Sequence, residues 1–248
     1  MAEEKLNSLS IVIPCFNEPE NIPLLLAHVK KIISDIDFKI EIIIVDGCSS
    51  DDTPKILENE FKHLDPDVFK LILQDSRQGY GFDIIAGLNS AKNEVLAWTH
   101  ADMQTDFNDV VDGFKLFQST KKYNSFSKFI VKGKRRGRPI LDVILTFGMQ
   151  ICVMCILKKN LNDINAQPKI FSRGFYKLLI SKNAPDDFSL DLFALYQAKI
   201  NDYKILTFPV SFNKREFGEA KGGGGSLNNR INLIKRTFKY IFKLNQQL

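Results

Sequence analysis

Three side chains that suit a divalent cation follow a short apolar segment in the middle of the chain: His100, Asp102 and Gln104. They alternate along the sequence, so an extended backbone would direct all three to the same side. An imidazole, a carboxylate and an amide oxygen can hold Mg²⁺ or Mn²⁺ when phosphate oxygens of a substrate complete the coordination shell. The spacing predicts a metal and phosphate site. The alternative is a polar strand end that binds nothing.

The elements that would position this site are readable in the first hundred residues. Strand patterns cover residues 9–14, 40–45, 70–74 and 95–99, and apolar residues at helical spacing lie between them. This alternation predicts an α/β fold with a doubly wound, mostly parallel central sheet. Because ligands of such sheets lie beyond the carboxyl ends of the strands, it points to the loops at 14–20, 46–53, 75–81 and 100–106.

The second half of the chain is less regular. Residues 139–157 form an apolar segment that predicts a helix or a helical hairpin, and residues 168–171 lead into a helix near 174–181. Four consecutive glycines at 222–225 predict a flexible loop. The basic residues after it are spaced as in an amphipathic helix. We therefore predict a domain of residues 1–226 and a C-terminal helix of residues 227–248.

Composition excludes several protein classes. The chain has 248 residues, of which 44% are hydrophobic and 25% charged, as in globular proteins rather than disordered or fibrous ones. Four scattered cysteines indicate reduced thiols, not a disulfide framework. No signal peptide and no uninterrupted run of about 18 apolar residues is visible, so we expect a cytoplasmic protein without a membrane span.

The net charge of +5 is concentrated in two segments. Residues 128–138 hold six basic residues and residues 227–248 hold five, and both segments lack acidic residues. Such local clusters indicate a negatively charged partner. Phosphate and anionic lipid are the favoured partners, and we expect no nucleic acid.

Six segments, in the family's order along the chain, resemble glycosyltransferase family 2 and, within it, the dolichol-phosphate mannosyltransferase branch. The segment His100-Ala101-Asp102-Met103-Gln104 is similar to the Asp-Ala-Asp-x-Gln metal motif of that branch, with His in place of the first Asp. The resemblance implies a GT-A type fold and a nucleotide-diphospho-sugar donor. It also implies Mn²⁺ or Mg²⁺ at His100, Asp102 and Gln104, with Ala101 in the donor site.

Three further segments resemble the family's nucleotide site. Pro14-Cys-Phe16-Asn17-Glu18 is similar to Pro-x-Tyr-Asn-Glu, Val45–Thr53 to Val-Asp-Asp-x-Ser-x-Asp-Gly-Thr, and Arg77–Gly81 to Arg-x-x-Gly-x-Gly. The glycines would let the backbone approach phosphate at a helix start. Residues 49–52 could instead only cap the next helix. The resemblance implies nucleotide-sugar binding by Pro14, Phe16, Asn17, Glu18, Asp46, Ser49, Arg77, Gly79 and Gly81.

Residues 163–173 and 208–221 resemble two later motifs of the same branch. Lys169 stands where the branch has Arg, and the resemblance implies that Arg215 and Lys221 close over the pyrophosphate. The family transfers the sugar in one displacement that inverts the anomeric carbon. We therefore expect a metal-dependent, inverting glycosyltransferase in which Asp102, Arg215 and Lys221 take part in catalysis.

The acceptor determines whether a base is needed. A phosphate acceptor is already anionic at neutral pH, and Arg135, Arg136 and Lys169 are candidates to bind it. A sugar hydroxyl would need a base, for which Asp187 and Asp191 are candidates, with helix capping weighed equally. The apolar segment 141–157 and the basic C-terminal helix suit a membrane surface. A core helix or a homodimer contact is the alternative for 141–157.

These features favour a lipid-phosphate or lipid-linked acceptor in cell-envelope glycan synthesis, and a protein peripheral to the inner face of the cell membrane. Two other classes remain. A catalytically impaired nucleotide-sugar-binding relative is suggested by His100 and Gly47, which depart from the family pattern. A sugar-phosphate nucleotidyltransferase would need a glycine-rich loop after the first strand, and residues 14–20 contain no glycine.

Overall fold

A computed structural model describes residues 7–123, 128–138, 140–213, 215, 217–218 and 227–246. Its strands are β1 (Ser8–Cys15), β2 (Lys39–Asp46), β3 (Phe69–Leu73), β4 (Val95–Trp98), β5 (Phe129–Arg136), β6 (Lys169–Ser172) and β7 (Lys204–Ser211). Its helices are α1 (Asn21–Ile33), α2 (Thr53–Phe61), α3 (Tyr80–Ser90), α4 (Asn108–Tyr123), α5 (Ile140–Leu157), the short α6 (Arg173–Phe175), α7 (Leu190–Ile200) and α8 (Leu227–Asn245). A π-helical segment, Tyr176–Ile180, continues α6.

The seven strands form one sheet in the order β3-β2-β1-β4-β6-β5-β7. The neighbours β3, β2, β1 and β4 run parallel, as do β5 and β7, whereas β6 is antiparallel to both β4 and β5. The predicted α/β fold with a mostly parallel sheet is confirmed. The strand β6 is missing from the prediction because only two apolar residues lie between its initial lysine and its final serine.

Both faces of the sheet are covered, which explains the unbroken apolar runs of the N-terminal strands. In β2, Ile43 and Val45 belong to one buried cluster with Trp98, whereas Ile42 and Ile44 belong to the cluster on the other face with Ile11. Successive residues therefore alternate between two cores, as the period of a strand requires.

The carboxyl ends of β1, β2 and β4 lie at one edge of the sheet. Cys15 is opposite Asp46 in the β1–β2 ladder, and Val12 is opposite Trp98 in the β1–β4 ladder. The loops that follow these strands therefore begin side by side. This is the edge at which the sequence predicts ligand binding.

Residues 140–157 form one helix, α5, so the hairpin alternative is wrong. Val153 and Leu157 are buried, but Ile140 is 79% exposed and Ile144 and Phe147 are each 60% exposed. Further exposed apolar side chains of α5 are Val143, Leu145, Ile151 and Met154. An ordinary core helix would not leave this many apolar side chains in solvent. In the described part of the chain, no helix is both long enough and apolar enough to cross a bilayer.

The C-terminal helix α8 contacts α5, and its Ile241 and Leu244 are buried in the core. Lys235, Lys239 and Lys243 of α8 are exposed. The helix therefore buries Ile241 and Leu244 against the rest of the fold and presents these basic residues to solvent, whereas Phe242 is exposed.

Candidate active site

The loops after β1 and β2 are bound to each other by Asn17, Asp46 and Ser49. The Asn17 amide donates to Ser49 Oγ at 2.8 Å, and the Ser49 amide donates to Asp46 Oδ2 at 2.9 Å. Ser49 is therefore not a helix cap. Asp52 is the N-cap residue of α2 but makes no capping bond with its side chain, so the capping alternative is wrong for it; Asp51 Oδ1 accepts from the Thr53 amide at 2.9 Å. Three residues predicted for the nucleotide site are thus brought together.

Arg77 and Phe16 are also adjacent, with the guanidinium 3.9 Å from the ring centroid. Arg77 Nη1 donates to Asp83 Oδ2 at 3.1 Å, and burial raises the pKa of Asp83 to about 6 despite this partner. A Cβ at Gly47 would lie 2.4 Å from Asp83 Oδ2 and 2.6 Å from Arg77 Nη1. The Arg77–Asp83 pair therefore takes the space that the family's second Asp would need.

The glycines at the start of α3 are explained by a protein contact. The amides of Gly81 and Phe82 donate to the Asp186 carbonyl at 2.8 and 3.1 Å. A Cβ at Gly79 would lie 2.4 Å from the same oxygen, and one at Gly81 would lie 2.2 Å from the Pro185 carbonyl. The expectation that Gly79 and Gly81 admit a phosphate here is contradicted, because residues 185–187 occupy this helix start.

The segment after β4 is bent, so the expectation of an extended backbone through His100, Asp102 and Gln104 is wrong. Met103 has a φ of 57°, in the left-handed region. The Gln104 amide donates to Asp102 Oδ1 at 3.2 Å, and the Gln104 side chain donates to the Asn213 carbonyl at 3.2 Å. Gln104 thus connects the β4 loop to the segment after β7.

His100 packs its ring 5.7 Å from that of Tyr80, centroid to centroid. Burial lowers the pKa of His100, and this effect outweighs the opposing charges of Asp102 and Asp191. The imidazole is therefore neutral at neutral pH, which is the protonation state that a metal ligand requires.

Arg215 joins two of the predicted site residues. Its guanidinium forms an ion pair with the carboxylate of Glu18, and Nη1 lies 3.6 Å from Asp102 Oδ2. Its Nε donates to the Phe217 carbonyl at 2.7 Å. The end of β1, the end of β4 and the segment after β7 therefore meet at this side chain.

The fit to a divalent cation rests on Asp102. Its carboxylate is 18% exposed and is hydrogen-bonded only to a backbone amide among the bonds described for it. Among the described residues, no three His, Cys, Asp or Glu side chains are grouped to hold a metal ion. Such an incomplete shell of oxygen ligands fits Mg²⁺ or Mn²⁺ bound together with substrate phosphates.

Lys169 and Asp191 are misassigned by the sequence. They form an enclosed ion pair, and Asp191 also accepts from Trp98 Nε1 at 3.2 Å and from Gln167 Nε2 at 3.0 Å. Lys169 is therefore not positioned to bind an acceptor, nor Asp191 to act as a base, because neither reaches solvent. Sequence reasoning also gives no role to Gln167, which has no charge to signal it.

Asp187 takes the capping alternative. Its Oδ1 accepts from the Ser189 amide at 2.9 Å at the start of α7, and its Oδ2 lies 3.7 Å from Arg236 Nε of α8. This carboxylate thus connects two elements, which favours the structural alternative over the role of a base.

The basic segment at the end of β5 is divided between two environments. Arg135 donates from its backbone amide and its Nε to Asp163 at 2.8 and 2.9 Å, and Arg138 Nη1 lies 3.6 Å from the same carboxylate. Arg136, in contrast, is exposed. Asp163 receives no role from the sequence analysis, although an acidic residue in a motif that follows a basic cluster could have indicated an ion pair. Lys221 lies outside the described residues.

Comparison with known proteins identifies the family. The family model described as Glycosyl transferase family 2 matches residues 10–162. The undecaprenyl-phosphate 4-deoxy-4-formamido-L-arabinose transferase of Proteus mirabilis is 37% identical over 101 residues, which are 41% of this chain and 31% of that protein. The human dolichyl-phosphate beta-glucosyltransferase is 24% identical over 221 residues, which are 84% of this chain and 68% of that protein.

Solved structures share the fold. Glucosyl-3-phosphoglycerate synthase of Mycobacterium tuberculosis, in complex with Mn²⁺, UDP-glucose and phosphoglyceric acid, has a TM-score of 0.70 at 13% identity. That match covers 99% of this chain and 82% of the other. A mannosyltransferase of Pyrobaculum calidifontis in complex with GDP-Man and Mn²⁺ has a TM-score of 0.57 at 21% identity, over 84% of this chain and 56% of the other. The predicted GT-A fold is thus confirmed, and the chain belongs to glycosyl transferase family 2.

Proposed function

We propose that this chain transfers a sugar from a nucleotide-diphospho-sugar to a lipid-phosphate acceptor, with a divalent cation, at a membrane surface. The observation that carries the proposal is the position of Arg215, beside both Glu18 and Asp102. A cationic side chain there lies next to the predicted metal carboxylate, where the charge of a departing diphosphate would develop.

The residues of this site have separate tasks in the proposed reaction. The carboxylate of Asp102, the neutral imidazole of His100 and the side-chain amide oxygen of Gln104 would hold Mn²⁺ or Mg²⁺. When bound, this ion supplies Lewis acidity toward the diphosphate. Arg215 would neutralise the leaving diphosphate, with Lys221 as a predicted second cation. Asn17, Asp46 and Ser49, tied together by hydrogen bonds, would bind the nucleoside together with Pro14, Phe16, Arg77 and Ala101.

The acceptor is proposed to be a lipid phosphate because both carboxylates predicted as bases are engaged elsewhere. Asp191 is enclosed with Lys169, and Asp187 caps α7. A phosphate oxygen needs no strong base, since the second pKa of a phosphate monoester is near 6. The relatives named for dolichyl-phosphate and undecaprenyl-phosphate transfer support the same acceptor class.

The membrane part of the proposal rests on α5. Its exposed apolar side chains begin at Ile140, four residues after the exposed Arg136. An apolar helix beside exposed basic residues suits the boundary between lipid tails and anionic headgroups. In this arrangement Arg136 lies where a lipid phosphate would enter.

The donor and the acceptor class can be tested in one assay. We expect nucleoside diphosphate release from one of UDP-glucose, GDP-mannose or UDP-N-acetylglucosamine, with Mn²⁺ and undecaprenyl phosphate in detergent micelles. Asp102→Asn should lower turnover by roughly a thousandfold, as loss of a transition-state contact does. Asp112→Asn, in an exposed carboxylate of α4, is the matched control. Transfer only to soluble sugars would contradict the acceptor assignment.

Membrane binding can be tested by flotation with vesicles. The wild-type protein should bind phosphatidylcholine vesicles containing phosphatidylglycerol, and the pair Ile144→Glu and Phe147→Glu should abolish binding. Leu178→Glu is the control, because Leu178 is 76% exposed but lies outside α5. Equal vesicle binding by all three proteins would contradict membrane binding through α5. A wild-type dimer that is lost in the α5 variant would make this face a dimer contact instead.

A further inference from the structure

The carboxylate of Glu18 is buried and paired with other side chains. Its Oε2 accepts from Asn21 Nδ2 at 2.6 Å, and both of its oxygens are paired with Arg215. The Glu18 amide donates to Thr53 Oγ1 at 2.9 Å, and its carbonyl accepts from the Ile22 amide at 3.1 Å. Glu18 is therefore fixed at the start of α1, with its charge directed at Arg215.

Arg215 is correspondingly oriented by three different partners. One terminal nitrogen pairs with Glu18, the Nε donates to the Phe217 carbonyl, and the other terminal nitrogen faces Asp102 at 3.6 Å. Glu18 is the hydrogen-bonded carboxylate of this set, whereas Asp102 lies beyond hydrogen-bond distance. The planar guanidinium thus has a fixed plane, and its free edge points toward Asp102.

This arrangement conflicts with a nucleoside-binding role for Glu18. A ribose hydroxyl or a base nitrogen would have to displace Arg215 or Asn21 from a buried carboxylate, and the displaced cation would lose its partner. We infer that Glu18 is a positioning residue that orients Arg215 toward the donor diphosphate beside Asp102. This inference rests on the proposed function. The nucleoside is then bound by the other residues of the β1 and β2 loops.

The first experiment uses the protein without any ligand. Glu18→Gln and Arg215→Gln, singly and together, form a double-mutant cycle read by thermal unfolding. Each single variant should lower the Tm by roughly 10 °C, as loss of one partner of an enclosed pair does. The Tm of the double variant should be no lower than that of the less stable single variant. Glu20→Gln, in the exposed neighbour, is the control, and additive losses in the cycle would overturn the inference.

The second experiment measures binding of UDP, UMP, GDP and GMP in the presence of Mn²⁺ by isothermal titration. In Glu18→Gln, the affinity for the preferred diphosphate should fall by about 10-fold to 100-fold, as for a lost charge-assisted hydrogen bond. The affinity for the matching monophosphate should change much less. Glu18→Gln in the Arg215→Gln background should have no further effect on the diphosphate.

The outcomes separate the inference from the function on which it rests. An equal loss of monophosphate and diphosphate affinity in Glu18→Gln would make Glu18 a nucleoside ligand and overturn the inference. Failure of the wild-type protein to bind any of the four nucleotides would instead count against the proposed function. In that case the ligand-free cycle still decides whether Glu18 holds Arg215.

Discussion

The ammonium of Lys169 and the carboxylate of Asp191 meet in an ion pair with only 1% and 2% of the two side chains exposed. Removing one partner of a buried pair leaves an uncompensated charge, at a cost of about 3–5 kcal/mol. We therefore predict that Asp191→Ala lowers the free energy of unfolding by roughly that amount in urea titrations. Asp112→Ala, on an exposed helical face, should change it little. A fully stable but inactive Asp191→Ala protein would restore the assignment as a base.

Lys132 lies directly opposite Lys169 in the β5–β6 ladder and donates to the Gly133 carbonyl at 2.8 Å. Burial lowers the pKa of Lys132 to about 7, and the charge of Lys169 adds to the effect. Because the folded state releases this proton near pH 7 and the unfolded chain only near pH 10, stability should rise with pH between these values.

Lys132→Met should flatten this rise, which is expected to be about 1 kcal/mol per pH unit between roughly pH 7.5 and 9. Urea unfolding at several pH values is the measurement, and Lys134→Met in an exposed neighbour is the control. An unchanged slope in Lys132→Met would mean that Lys132 remains protonated in the fold.

Arg135 and Arg136 are adjacent in sequence but should behave differently. Arg135→Ala leaves the enclosed Asp163 with one partner fewer, so it should lower the Tm. Arg136→Ala should leave the Tm unchanged and raise the KM for undecaprenyl phosphate by about tenfold, the worth of one charge-assisted contact. An unchanged KM in Arg136→Ala would remove this residue from the acceptor site.

Two glycine substitutions form a matched pair. A Cβ at Gly81 would lie 2.2 Å from the Pro185 carbonyl, whereas a Cβ at Gly148 meets nothing within 4 Å. Gly81→Ala should therefore destabilise the protein by about 1–3 kcal/mol. Gly148→Ala, inside α5, should stabilise it by up to about 1 kcal/mol. Calorimetry of both variants checks the contact, which would be disproved by equal Tm values.

The parallel half of the sheet is predictable because each of its strands is a run of apolar residues covered on both faces. The β2 residues Ile42–Val45 alternate between two cores, and nothing in the loops changes that pattern. Strand β6 is not predictable in this way, since only two apolar residues lie between its initial lysine and its final serine. Its identity as a strand depends on pairing with β4 and β5, which are distant in sequence.

In the site, too, some positions are predictable from the local sequence and others depend on tertiary packing. The strand-end position of Asp46 and Asp102 follows from local pattern, and the family resemblance places Arg215 near them. The partners of Asp191 and Glu18 do not follow, because Lys169 and Arg215 reach them only through tertiary packing. Alternating residue types likewise predict an extended segment at 100–104, whereas the positive φ of Met103 bends it.

The antiparallel direction of β6 determines which of its two flanking loops lies at the edge of the sheet that carries the site. Because β6 runs against β4, Lys169 at its beginning lies opposite Trp98 at the end of β4. The connection that precedes β6, with Asp163 and Gln167, thus borders the same edge as the β4 loop. Insertions or deletions directly before Lys169 should alter substrate choice, whereas those directly after Ser172 fall at the opposite edge of the sheet and should leave the reaction unchanged.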